Sequence, residues 1–126
     1  MQLVLDRVKD QLGLEAPVSV ELVPVDRFLV SVEPPPVAGG SFVVRVEEGL
    51  LDVLADDELE AALAHELGHV WVFTHHPFLQ TETGANEIAL RVVSRGALTR
   101  VYEKVWQSGG GKGSLERFLG SRVGPQ

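Results

Sequence analysis

The 126-residue chain contains no cysteine, which removes disulfides, thiolate metal sites, cysteine nucleophiles and a cysteine-switched zymogen together. Any metal it binds must be held by His, Asp or Glu. No apolar run reaches the 18 residues that a membrane span requires. The opening stretch MQLVLDRVKDQLGLEAPV sets Leu5, Val8 and Leu12 on one helical face among charges, unlike the uninterrupted apolar segment of a signal peptide. A cytoplasmic protein is the expectation. The length is that of one domain, sufficient to bury a core without disulfide help.

Charge is unevenly placed. Residues 1–90 carry 16 acids and 4 bases, whereas residues 91–126 carry 2 acids and 7 bases, within a net charge of −7. The bases Arg91, Arg95, Arg100, Lys104, Lys112, Arg117 and Arg122 are spread evenly and are not interleaved with aromatics. They read as solvated helix faces, and no nucleic-acid partner is expected.

The pattern of elements is α+β. After the opening helix come three β-branched runs, VSVELV (18–23), FLVSV (28–32) and SFVVRV (41–46), separated by turn chemistry that includes PPP at 34–36 and GG at 39–40. These predict a small antiparallel sheet. EEGLLDVL (47–54) predicts a short helix, and DDELEAALAHELGHVWVFT a longer one, capped by Asp56 or Asp57 with Glu58 and Glu60 in its first turn. Pro77 disfavours helix at His76, so that helix should end near Thr74. A second long helix is expected from about Phe78 or Thr81 to Trp106. SGGGKGS (108–114) reads as a flexible linker and LERFLGSRV (115–123) as a short amphipathic helix.

Within the longer helix, HELGH (65–69) carries the chemistry. Positions i and i+4 share one helical face, so His65 and His69 can converge on one ion, and zinc suits that spacing. Glu66 points to the flank of the same face. It is a candidate general base toward a water made acidic by the metal. Two ordinary histidines are the structural alternative, but the apolar neighbours Ala62, Leu63, Leu67 and Val70 supply the helical context that the motif demands.

The segment VRVEEGLLDVLADDELEAALAHELGHV (44–70) resembles the strand, linker and active-site helix of gluzincin metallopeptidases. The likeness is to the CAAX-processing and HtpX-type proteases and their soluble minimal relatives, the minigluzincins; the chain also resembles the ImmA-type peptidases. The resemblance implies a zinc peptidase whose second helix carries a glutamate ligand in a Glu-x-x-Ala-Asp pattern. The matching positions here are Glu82, Ala85 and Asn86, with Asn in place of the acid.

Three residues compete for the third ligand position. His75 falls where a metzincin would place its third histidine, but Val72 stands where that motif needs glycine, and the chain's single methionine, Met1, provides no Met-turn. His75 and His76 read instead as polar turn residues. Glu82 and Glu87 remain. Glu82 lines up with Ala85, Ala89, Val92 and Gly96 in a small-residue stripe suited to close helix packing, whereas Glu87 pairs with Arg91 at i,i+4 on an exposed face. The face favours Glu82. The resemblance then puts Asn86 at the family's Asp position, where it would orient a zinc-binding histidine by hydrogen bond. Tyr102, Arg95 and His76 are candidates for stabilising an oxyanion, and Trp71 and Trp106 are read as core.

The expected molecule is a minimal zincin fold, α+β, with a three- or four-stranded antiparallel or mixed sheet and an antiparallel pair of zinc-site helices. Residues 1–107 form its metallopeptidase domain, and 108–126 a Gly-rich linker with a short helix. Its reaction would be peptide-bond hydrolysis, with Zn2+ held by His65, His69 and Glu82 and with Glu66 as base. By resemblance, a peptide or protein substrate would lie along an edge strand at 41–46. The alternative is a metal-binding interaction module of the same fold without peptidase activity. The tail, tethered by its linker, could fold back and inhibit the site.

Overall fold

The computed structural model describes residues 1–25, 30–37, 39–75 and 81–106, the last without its Trp side chain. The expected strand start at Phe28, the turn around His76 and Pro77, and the linker and terminal helix at 108–123 lie outside these residues.

Helix α1 (Gln2–Leu12) buries Leu5, Val8 and Leu12, the three residues that its periodicity selects. Gly13 closes it at φ 69, a left-handed conformation that only glycine adopts without strain. Strands β1 (Val18–Val23), β2 (Val30–Glu33) and β3 (Phe42–Glu47) form one sheet in the order β1-β3-β2. β3 runs parallel to β1, with Val20 opposite Val44, and antiparallel to β2, with Val32 opposite Val44. The sheet is therefore mixed, not antiparallel throughout. Phe42, Val44 and Val46 alternate into the core from β3. On the other face Arg45 of β3 pairs across both neighbours with Glu21 and Glu33.

The register overturns one expectation. The run 41–46 is the central strand, with its backbone committed on both sides, and the edges of the described sheet are β1 and β2. Of the three strands, β2 packs most closely against the longest helix.

A short 3-10 helix (Glu48–Asp52) leads into that helix, α2 (Asp56–His75). Its first half is built from Ala, Leu and Glu, strong helix formers. Residues Ala61 to Gly68 are all buried, because α1, β2 and the helices that follow surround α2. The predicted caps are corrected here. Asp56 and Asp57 lie inside the first turn, and the Glu58 carboxylate reaches back to accept the Ala55 N–H at 2.9 Å. Glu58, only 3% exposed, also accepts from Lys104 Nζ at 2.6 Å and Arg100 Nε at 3.0 Å. Two bases expected to be merely solvated thus pin the start of α2. Their donors hold the Glu58 carboxyl down at about 2, Lys104 contributing most, then Ala55, against the opposing effect of burial.

The second long helix is instead broken. α3 (Glu82–Ala89) ends at Leu90, and α4 (Arg95–Val101) starts afresh after Ser94, whose hydroxyl accepts the Ala97 N–H. The β-branched pair Val92–Val93 and a capping serine favour this interruption. A π-helical turn (Tyr102–Trp106) follows. The break removes Val92 and Gly96 from the small-residue stripe. Arg91 lies beyond the end of α3, and its guanidinium is 5.1 Å from the Trp71 ring centroid.

Candidate metal centre

Thr81 caps α3 by accepting the Gly84 N–H at 2.9 Å, so Glu82 enters the first helical turn facing α2. Glu82 Oε1 lies 2.9 Å from His65 Nε2 and 3.2 Å from His69 Nε2. One turn further along α3, Asn86 Oδ1 lies 2.7 Å from His65 Nδ1. Asn86 and His65 are both fully buried. With Asn86 Oδ1 as acceptor, His65 carries its proton on Nδ1 and turns a lone pair on Nε2 toward Glu82.

That arrangement points two imidazole nitrogens and a carboxylate oxygen at one small volume. The three donor atoms lie within 4.8 Å of one another. Acceptors converging this closely require a positive charge among them. The set of two imidazoles and one carboxylate, at the separations of neighbouring ligands around one tetrahedral ion, fits zinc. Burial would raise the Glu82 carboxyl, but where protons rather than an ion lie between the three groups, the hydrogen bonds to His65 and His69 outweigh it and hold the group well below the usual carboxylate range. His65 is completely enclosed, while the side chains of His69 and Glu82 retain 16% and 31% exposure. The centre therefore opens to solvent on the Glu82 side.

Glu66 adds the second observation. Its side chain is 2% exposed, and Oε2 lies 3.8 Å from His65 Nε2, with no hydrogen-bond partner among the described residues. An orphaned carboxylate oxygen in the interior is costly and calls for a ligand or a function beside it.

The other candidates fall elsewhere. His75 ends α2, its ring stacked on Trp71 at 3.9 Å and its Nδ1 2.7 Å from the Trp71 carbonyl oxygen, and it does not join the cluster. Glu87 is exposed. Tyr102 is 3% exposed in the core, and Arg95 opens α4. Trp71 packs partly buried against the core.

Residues 38–121, two thirds of the chain, match the sequence profile of peptidase family M48. The chain belongs to peptidase family M48. Among curated relatives of this M48 chain, the metalloprotease LoiP of Escherichia coli K12 is 34% identical over 55 residues, covering 44% of this chain and 22% of LoiP. Protease HtpX homolog 1 of Sulfolobus acidocaldarius is 46% identical over 54 residues, covering 38% of this chain and 18% of that protein. The M48 chain spans about a fifth of the length of these relatives. The crystal structure of the metallopeptidase zymogen of Pyrococcus abyssi abylysin superposes with a TM-score of 0.56 at 20% identity, over 79% of this chain and 86% of that one. At that identity the likeness is one of fold, and it agrees with the α+β architecture. No helix among the described residues is long and apolar enough to cross a membrane.

Proposed function

We propose that this chain is the metal-binding catalytic unit of a zinc metallopeptidase, in which His65, His69 and Glu82 hold the ion and Glu66 is the general base. The observation that carries the reading is the convergence of the three donor atoms beside Glu66 Oε2, which has no hydrogen-bond partner among the described residues. Membership of peptidase family M48 supports it.

When bound, zinc supplies Lewis acidity, which lowers the pKa of a coordinated water and polarises a carbonyl oxygen. The chain's own residues do the rest. Asn86 fixes the ring orientation and tautomer of His65 from behind. Glu82 brings the negative charge that lets two neutral imidazoles hold a dication. Glu66 takes a proton at Oε2 from the attacking water and delivers it to the departing amine. Burial of Glu66, at 2% exposure, keeps bulk water from competing for that carboxylate.

The surface offered to an extended peptide moves from the position expected from sequence. β2 is an edge strand and packs against α2, so a peptide added to that edge would run past the helix that carries His65 and His69. Residues 1–107 would form the catalytic domain. The tail, joined by SGGGKGS, would compete with substrate for the open side of the centre, with Leu115, Phe118 and Leu119 as its apolar contacts. The test of the reading is peptide-library cleavage by zinc-loaded protein. Stoichiometric zinc binding without any cleavage would leave a metal-binding interaction module.

A further inference from the structure

Gly68 occupies the interior of α2, where glycine is a weaker helix former than alanine. A residue that weakens the helix carrying both histidines needs a compensating reason, and its surroundings supply one. A Cβ placed on Gly68 would lie 2.2 Å from the Ala85 carbonyl oxygen, 2.9 Å from its carbon and 3.0 Å from its Cα. All three are backbone atoms of α3, so no side chain can rotate away. The two helices meet here backbone to backbone.

The position of this contact is what gives it a role. Gly68 directly precedes His69 and follows His65 by three residues. Ala85 directly precedes Asn86 and follows Glu82 by three. The contact therefore sits between the two bonds that join the helices at the site, Glu82 to the imidazole Nε2 atoms and Asn86 to His65 Nδ1. We propose that Gly68 is the positioning residue of the metal centre, setting the α2–α3 separation at which Glu82 and Asn86 reach their histidines together. The inference rests on the metal-centre reading above.

A methyl group at position 68 would have to back α3 off by about 1 Å to restore ordinary C···O contact. Glu82 has three side-chain torsions with which to follow. Asn86 has two and a shorter stem, and its 2.7 Å bond to the enclosed His65 ring would stretch or break. Metal sites tolerate only about ±0.2 Å in ligand distances, so the displacement exceeds what the centre can absorb.

The experiment compares wild type, Gly68→Ala, Asn86→Ala and the double variant for zinc affinity, by competition with a chromogenic chelator. Cobalt-substituted absorption reads ligand geometry, and far-ultraviolet circular dichroism of the metal-free proteins reads the fold. Gly68→Ala should keep the wild-type dichroism, bind zinc on the order of 10–100-fold more weakly, and alter the cobalt spectrum. On the Asn86→Ala background the same substitution should cost much less, because the bond it displaces is already gone. Wild-type affinity and spectrum in Gly68→Ala would overturn the inference while leaving the metal centre intact. Equal losses on both backgrounds would overturn it too, as would a Gly68→Ala chain that does not fold, since the contact would then serve the fold as a whole. Failure of the wild type itself to bind zinc or cobalt would sink the metal-centre reading, and the inference with it.

Discussion

Asn86 accepts a hydrogen bond from His65 Nδ1 at 2.7 Å, from a position where neither residue touches solvent. The bond decides which nitrogen of His65 faces Glu82. Removing it in Asn86→Ala should weaken zinc binding on the order of tenfold to a hundredfold, the range for partners that orient a ligand from behind. Asn86→Asp should bind at least as tightly as wild type, because a carboxylate raises the basicity of the imidazole. Chelator competition at fixed pH measures both, and unchanged affinity in Asn86→Ala would show that packing alone orients the ring.

Glu82 is set apart from its competitors by distance. Glu82→Ala should abolish most zinc affinity, whereas Glu87→Ala and His75→Ala should leave it near wild type, since neither residue joins the cluster. Zinc at 100 times its dissociation constant stabilises a folded protein by about 2.7 kcal/mol. The melting temperature of wild type should therefore rise on adding zinc and fall back with chelator, and that of Glu82→Ala should respond weakly. A full response in Glu82→Ala with none in Glu87→Ala would transfer the ligand role to Glu87.

Glu58 gives the fold a defined acid limit. Its carboxyl is held at about 2 in the folded protein, below the ordinary value of 4.5. A depressed carboxyl contributes stability that is present above the unfolded value and is lost as pH falls toward the folded one. Melting temperature followed from pH 5 to pH 2 should decline in wild type, and Glu58→Gln should start lower and decline less. Parallel curves would mean that other carboxylates govern acid unfolding.

The helices of the site were legible because their signals are local. The i,i+4 pair His65 and His69 and the face shared by Glu82, Ala85 and Ala89 follow from 3.6-residue periodicity and one reversal of the chain, whereas the orienting role of Asn86 came from the gluzincin resemblance and its pairing with His65 only from the structure. The sheet edge was not legible. Alternation identifies the strand 42–47 but not its neighbours, and only the pairing with both β1 and β2 shows it to be central. The break at 90–94 was hidden because Leu90, Val92 and Val93 continue an apolar helical pattern, while the Ser94 cap competes with it locally. Glu58 read as one acid among several at a helix start. Its partners Arg100 and Lys104 stand more than 40 residues away, a relation that periodicity cannot carry.

Truncation after Ser108 tests the tail. Higher peptidase activity at an unchanged melting temperature is expected if residues 115–123 compete with substrate. A lower melting temperature would place them in the fold instead.

Cleavage of a peptide library by zinc-loaded wild type and Glu66→Gln, with zinc content measured on the same samples, tests the central claim most directly. Glu66 is buried beside the donor atoms, its Oε2 without a hydrogen-bond partner among the described residues, so the amide should keep the zinc and the fold while activity drops by roughly 10²–10⁴-fold. Equal cleavage by both proteins, or no cleavage by a zinc-replete wild type, would contradict it.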